Sequence, residues 1–242
     1  MLKSIPIAVI PLLFCLSCTT FQYVTVSSSA VAKNDRNEFV VENDSIQLVY
    51  NFSGFRGPVK ISIFNKLDVP VYIDWQRSAV IVNDKTVPYV PAEVKIEGNY
   101  SGTTYNSRPV SGYRTSSGSI QATAYLPPTV DFIPPRASIN KTTICITGGY
   151  NERIPDADFT KAKYPVVDGF TVNVKKAAFT DATSPLHFRS FITYTIGESG
   201  AKLYTFEHSF FVSEVMSSGS SPEMLLMNVG SRGDQYYSST SN

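Results

Sequence analysis

Apolar and polar residues alternate with a period of two along most of this chain, which commits it to strands rather than helices. Between positions 45 and 52, Ile46, Leu48, Tyr50 and Phe52 fall on one side. Val59, Ile61 and Ile63 alternate with Lys60, Ser62 and Phe64, and Val69, Val71, Ile73 and Trp75 share a parity opposite Tyr72 and Asp74. Further β-branched and aromatic runs cover 119–125, 137–147, 170–179, 186–196 and 203–212, bounded by Gly, Pro, Asn and Asp. Helical spacing is confined to 157–163, enough for one short turn after Pro155. Antiparallel strands linked by short turns, without helical crossovers, give the expected fold: an all-β antiparallel β-sandwich, immunoglobulin-like or elaborated, with few or no helices.

Local chemistry places several joints in that sandwich. Asn65 caps a bend through its own side chain, so Lys66-Leu67-Asp68 joins two strands. Trp75, the only tryptophan, then belongs to the core. Neither proline of Ile133-Pro-Pro-Arg136 can donate to a ladder, which marks a crossing at a sandwich edge. The main domain is read as 38–215.

Two segments break the alternation. Residues 99–119 (NYSGTTYNSRPVSGYRTSSGS) are rich in Ser, Gly, Thr and Tyr and lack an apolar face. They read as a long polar loop, either a recognition loop or a mobile insertion. Tyr100, Tyr105, Arg108, Tyr113 and Arg114 are its candidate partner-binding residues, because Tyr gives large contact area at low entropic cost. Residues 216–242 read as a low-complexity tail, with a brief apolar run that could add an edge strand and a disordered end.

The start of the chain decides its compartment. Lys3 precedes an uncharged, mostly apolar run from Ile5 to Leu16, interrupted by Pro6 and Pro11 and too short to span a bilayer, which needs about 20 residues. A basic start followed by a short apolar run and small residues describes a secretory signal over 1–17. Ser17-Cys18 followed by Thr19-Thr20 resembles the lipobox of bacterial lipoproteins. That resemblance implies cleavage before Cys18, acylation of its thiol and a palmitate-type anchor, with 18–37 as tether or first strand. Cys15 departs from the Leu commonest there and Leu16 from the usual small residue; Phe14 is too bulky for Cys15 to be the modified residue. Thr19 is not the Asp that retains lipoproteins at the inner membrane in some bacteria, which favours the outer membrane. Each buried acyl CH₂ contributes roughly 0.8 kcal/mol, so two or three chains hold a protein essentially permanently.

Charge and cysteine usage narrow the function classes. Lys and Arg number 21 and Asp and Glu 20, so the chain is near neutral and offers no basic face for nucleic acid. No lysine or arginine cluster is visible along the sequence, so membrane attachment is expected from the lipid alone. Of three cysteines, only Cys145 lies beyond the signal; flanked by Ile144 and Ile146, it is expected to be a small buried hydrophobe. His187 and His208 are the two histidines. If Gly197 pairs with Lys202, they share a sheet face four residues apart, roughly 13 Å at ~3.3 Å per residue, too far for one metal.

No nucleophile elbow, zinc-protease helix, phosphate loop, dinucleotide glycine pattern or calcium loop occurs, and no cofactor is expected. The carboxylate pairs Glu42/Asp44 and Asp156/Asp158 read as acid-rich turns. Arg232-Gly233-Asp234 resembles an integrin-binding tripeptide, and Asp44-Ser45-Ile46 an O-glycosylation site of some exporting bacteria; chance and a polar turn account for them.

Beyond the signal, Phe21-Gln-Tyr-Val24, Val41-Glu-Asn-Asp44, Tyr50, Asn65-Lys66, Val71-Tyr-Ile-Asp74, Ser78, Asn83 and Ile133-Pro-Pro-Arg136 resemble a loose group of uncharacterised bacterial lipoproteins. The resemblance covers about the first two-thirds of the chain. It implies an exported lipoprotein with an N-terminal β domain, and it carries over no catalytic residue or ligand. The leading expectation is a non-catalytic binding or scaffolding protein of the cell envelope, with other envelope proteins as partners. The alternatives are an envelope hydrolase using carboxylates, marked by a cleft of converging ionisable groups, and an adhesin or filament subunit, marked by a donor strand.

Overall fold

The computed structural model describes residues 19–90, 93–106, 112–125, 130–147, 149, 154–166, 169–197, 202–226 and 232–240. The fold is all-β and sandwich-like, its sheets curling into a half-barrel. One sheet has five strands, in the spatial order β12 (Ser138–Cys145), β6 (Pro58–Asn65), β4 (Ile46–Asn51), β3 (Phe39–Glu42) and β2 (Ala32–Lys33). The larger sheet runs β11 (Val130–Ile133), β7 (Val71–Val82), β15 (His187–Ile196), β16 (Leu203–Ser218), β1 (Phe21–Ser27), β17 (Gln235–Ser239) and β5 (Gly54–Phe55). β8 (Lys85–Pro88) adds to β7, and the hairpin β13 (Thr160–Pro165)/β14 (Thr171–Ala178) adds to β16. The helical elements include the short α1 (Pro222–Leu226) and single 3₁₀ turns at Asp181–Thr183 and at Asp156–Asp158, where Pro155 marked one.

The alternating residues meet where their parity places them. Ile46, Leu48, Tyr50 and Phe52 face Phe188, Phe210, Val212 and Trp75 across the sandwich in one continuous apolar core. Phe52 sits among Phe39, Tyr50, Phe188 and Phe210, with ring centroids 5.2–6.3 Å away. Trp75 is fully buried. Its indole Nε1 donates to Asp131 Oδ2 at 2.7 Å, and Lys141, paired with Asp131 at 2.8 Å, lies 4.9 Å over the ring.

The joints form as their chemistry demands. Asn65 Oδ1 accepts from Leu67 N–H at 2.9 Å, while its Nδ2 donates to the carbonyls of Val69, Ile133 and Pro134. The residue that caps the bend thus also holds the 133–136 segment, which carries the chain from β11 in one sheet to β12 in the other. Ser78 fills a bulge between β7 and β15: its hydroxyl accepts from Thr193 N–H at 2.9 Å and donates to the Asp74 carbonyl at 2.5 Å. Val69 departs from its parity and is exposed, because it sits in the turn before β7.

Four expectations are corrected. Residues 99–119 are not a structureless loop: they lie largely in β9 (Glu93–Asn106) and β10 (Gly112–Tyr125), a two-stranded ribbon paired from Glu93↔Tyr125 to Asn106↔Gly112. The end of 216–242 is not a free tail. β17 lies between β1 and β5, and Tyr236 is buried. Cys145 is exposed. A bulge between Thr142 and Cys145 shifts the pairing with β6 by one residue, turning Ile144 and Ile146 inward and Cys145 outward. Finally, β15 pairs with β16 one residue away from the assumed register, with His187 opposite Phe211 and His208 opposite Ser190. A one-residue slip exchanges sheet faces, so the two histidines lie on opposite faces.

Candidate functional site

The inward histidine is structural. His208 Nδ1 lies 3.1 Å from the Tyr50 hydroxyl, which also contacts Ser190 Oγ at 2.8 Å, and Ser190 Oγ in turn meets the Tyr89 hydroxyl at 2.6 Å. Burial raises both tyrosine pKa values and lowers that of His208 below its usual 6.5. These are neutral groups that satisfy one another inside the core.

The outward histidine lines a cleft of about 530 Å³, walled by Ser29, Asp84, Asp181, His187, Arg189 and Phe211 among others. Three local devices build it. Asn83 and Asp84, at φ 47° and 62°, form the left-handed turn between β7 and β8 that Asn and Asp tolerate best, and Asn83 N–H donates to the His187 carbonyl. A capping box between Thr180 and Thr183 fixes the 3₁₀ turn that presents Asp181. Arg189 is held by Glu207 across β15 and β16. Asp181 then takes two partners: Ser29 Oγ donates to Oδ2 at 2.9 Å, and His187 Nε2 lies 3.2 Å from Oδ1 and 2.6 Å from the Asp181 carbonyl. Both histidine contacts are acceptors, so Nε2 is the donor in each.

A second cavity of about 840 Å³ lies at the end of the large sheet where the described chain begins, lined by Thr20, Asp156, Lys161, Lys163, Lys175 and Ser218 among others. Lysines that do not cluster along the sequence meet at this cavity. Lys161 and Lys163 on β13 converge with Lys175 on β14, 12 positions later at the nearest, through the hairpin register.

The ribbon's register places four of the five sequence-predicted loop residues. In the ribbon Tyr105 stands directly opposite Tyr113, whereas Tyr100 pairs with Gly118 and Arg114 with Thr104 on the other register parity. Arg108 and Cys18 lie outside the described residues. Arg232-Gly233-Asp234 serves the fold: Asp234 is fully buried and paired with Lys33 at 2.7 Å and Arg232 at 2.8 Å. The Asp181–His187 cleft was missed because its members come from four separated segments; the parity of His187 in the correct register was the signal that could have revealed it.

Among the described residues no three His, Cys, Asp or Glu side chains cluster as metal ligands, and no helix is long and apolar enough to cross a membrane. No family model matches the chain, and no curated protein is similar to it.

Proposed function

We propose that this chain is a lipid-anchored protein of the cell envelope, held at the outer membrane through Cys18, whose β-sandwich works by binding rather than by catalysis. What supports an anchor is the place where the fold begins. β1 starts at Phe21, three residues after Cys18, and Thr20 already hydrogen-bonds to Thr240, so an acylated Cys18 would tie the domain closely to a bilayer.

The bonding order in the cleft favours binding over hydroxyl-nucleophile catalysis, while the convergence of Asp84, Asp181, His187 and Arg189 there makes a hydrolase using carboxylates the second reading. Activating a hydroxyl nucleophile requires a basic imidazole nitrogen against that hydroxyl. Here Asp181 stands between Ser29 and His187, and Nε2 faces the carboxylate as a donor. The cleft instead offers carboxylates, the His187 imidazole and the Phe211 ring to a polar segment of another envelope protein.

Two measurements test the reading. Growth with a clickable fatty acid should label the parent protein and leave Cys18→Ala unlabelled; equal labelling overturns the anchor. Mild crosslinking followed by pulldown should recover an envelope partner, and Asp181→Ala should lower that recovery about tenfold, as loss of an interface hot spot does. Recovery unchanged by Asp181→Ala would remove the cleft from the account.

A further inference from the structure

We propose that the face formed by Lys161, Lys163, Lys175 and Phe170 rests on the anionic phospholipid surface of the membrane that holds the anchor, an inference that builds on lipidation at Cys18. β14 and β1 flank the C-terminal half of β16 on its two edges. Lys175 and Gln22 both pair with Ser217 and are level with each other. Backward from Gln22 the chain leads through Thr20 to Cys18. Backward from Lys175, β14 leads in the same direction to Thr171 and the turn at Phe170. The starts of β1 and of β14 therefore belong to one end of the molecule, and Thr20 lines the cavity that the three lysines share.

Among the described residues only one of these three lysines has an ion-pair partner. Lys161 stands directly opposite Lys175, and like charges across an antiparallel pair repel. Lys175 pairs with Asp156 at 3.7 Å, and that carboxylate is 94 % exposed. Among the described residues Lys161 and Lys163 form no ion pair. Lysines on an edge strand also deter sheet-to-sheet pairing, and β13 is an edge. That role does not extend to Lys175 on the inner strand. Nor does it account for Phe170, a residue 72 % exposed at the turn. An aromatic ring at headgroup depth beside cations that meet phosphate is the arrangement an interfacial contact requires.

The test uses the full lipidated chain with Cys145→Ser and Phe170→Cys, carrying an environment-sensitive fluorophore at position 170. It is mixed with vesicles of phosphatidylcholine alone or of phosphatidylcholine with phosphatidylglycerol. The protein should float with both through its lipid, but the emission should shift to the blue only with phosphatidylglycerol. That shift should be lost in Lys161→Glu/Lys163→Glu/Lys175→Glu, in the corresponding triple Gln variant, and in high salt. A thermal midpoint equal to the parent's for the Gln variant shows that the fold is intact. Flotation with no anionic-specific shift, or a shift that survives both triple substitutions, overturns the contact face and leaves the anchor standing. Failure to float with phosphatidylcholine overturns the anchor instead, and the emission on anionic vesicles then decides the face by itself.

Discussion

At Trp75 the indole is fully buried, its N–H is satisfied by Asp131, and its ring packs edge-on against Tyr89 at 5.6 Å. Trp75→Ala should destabilise the domain by ~3–5 kcal/mol, as truncations of core aromatics do, read from the chemical-denaturation midpoint. Gly233 is constrained differently: a Cβ there would meet the Glu38 backbone Cα at 3.0 Å and its Cγ at 2.4 Å. Its neighbour Asp234 joins two cations that are each about a third exposed. Asp234→Ala should therefore cost about 1.5–3 kcal/mol, the range for hydrogen bonds to charged groups, because Lys33 and Arg232 can regain water. His208 adds a pH dependence. Its folded pKa is lowered by burial, so the unfolded chain takes up this proton first as pH falls. The stability it contributes above pH 6.5 is lost as pH drops through the folded value. His208→Gln should narrow the difference between urea midpoints measured at about pH 7 and pH 5; an undiminished difference would assign the dependence to other groups.

Among elements, those with a hydrophobic period were legible and those without one were not. Ile46 to Phe52 and Val59 to Ile63 announced β4 and β6 because one side of each strand is apolar. β9 and β10 hid because the distal half of the ribbon pairs Ser, Thr, Gly and Tyr with one another, as in Thr103↔Thr115 and Tyr105↔Tyr113. The strand-forming Thr and Tyr were present, but without an apolar face they resemble a loop. The ribbon pairs with neither large sheet, so replacing 93–125 by a short Gly/Ser linker should leave the thermal midpoint nearly unchanged; a large drop would mean that it packs on the sandwich. β17 behaves in the opposite way. Its five residues pair with β1 along their whole length, so ending the chain at 226 exposes that edge and should yield aggregated protein. The cleft was illegible for a reason of scale, since one residue of register decides which face His187 occupies, and the spacing of the turn residues did not fix that register.

For the molecule as a whole, one end of the large sheet gathers the start of β1, the lysine hairpin and Thr240, next to the last residues of β17. The Asp181–His187 cleft lies farther along β15 and β16, near the opposite end of β1, where Ser27 pairs with Phe211. A chain anchored at Cys18 would then hold its lysine face toward the bilayer and its cleft away from it, free for a partner in the envelope. Everything in that orientation follows from the identity of the mature N-terminus. Intact-protein mass spectrometry of the chain extracted from membranes measures it directly. The account predicts a mature chain beginning at Cys18 and heavier than its amino-acid sequence by a diacylglyceryl group, with or without a further acyl chain. A chain that retains residues 1–17, or that begins at Cys18 with a bare thiol, would contradict it.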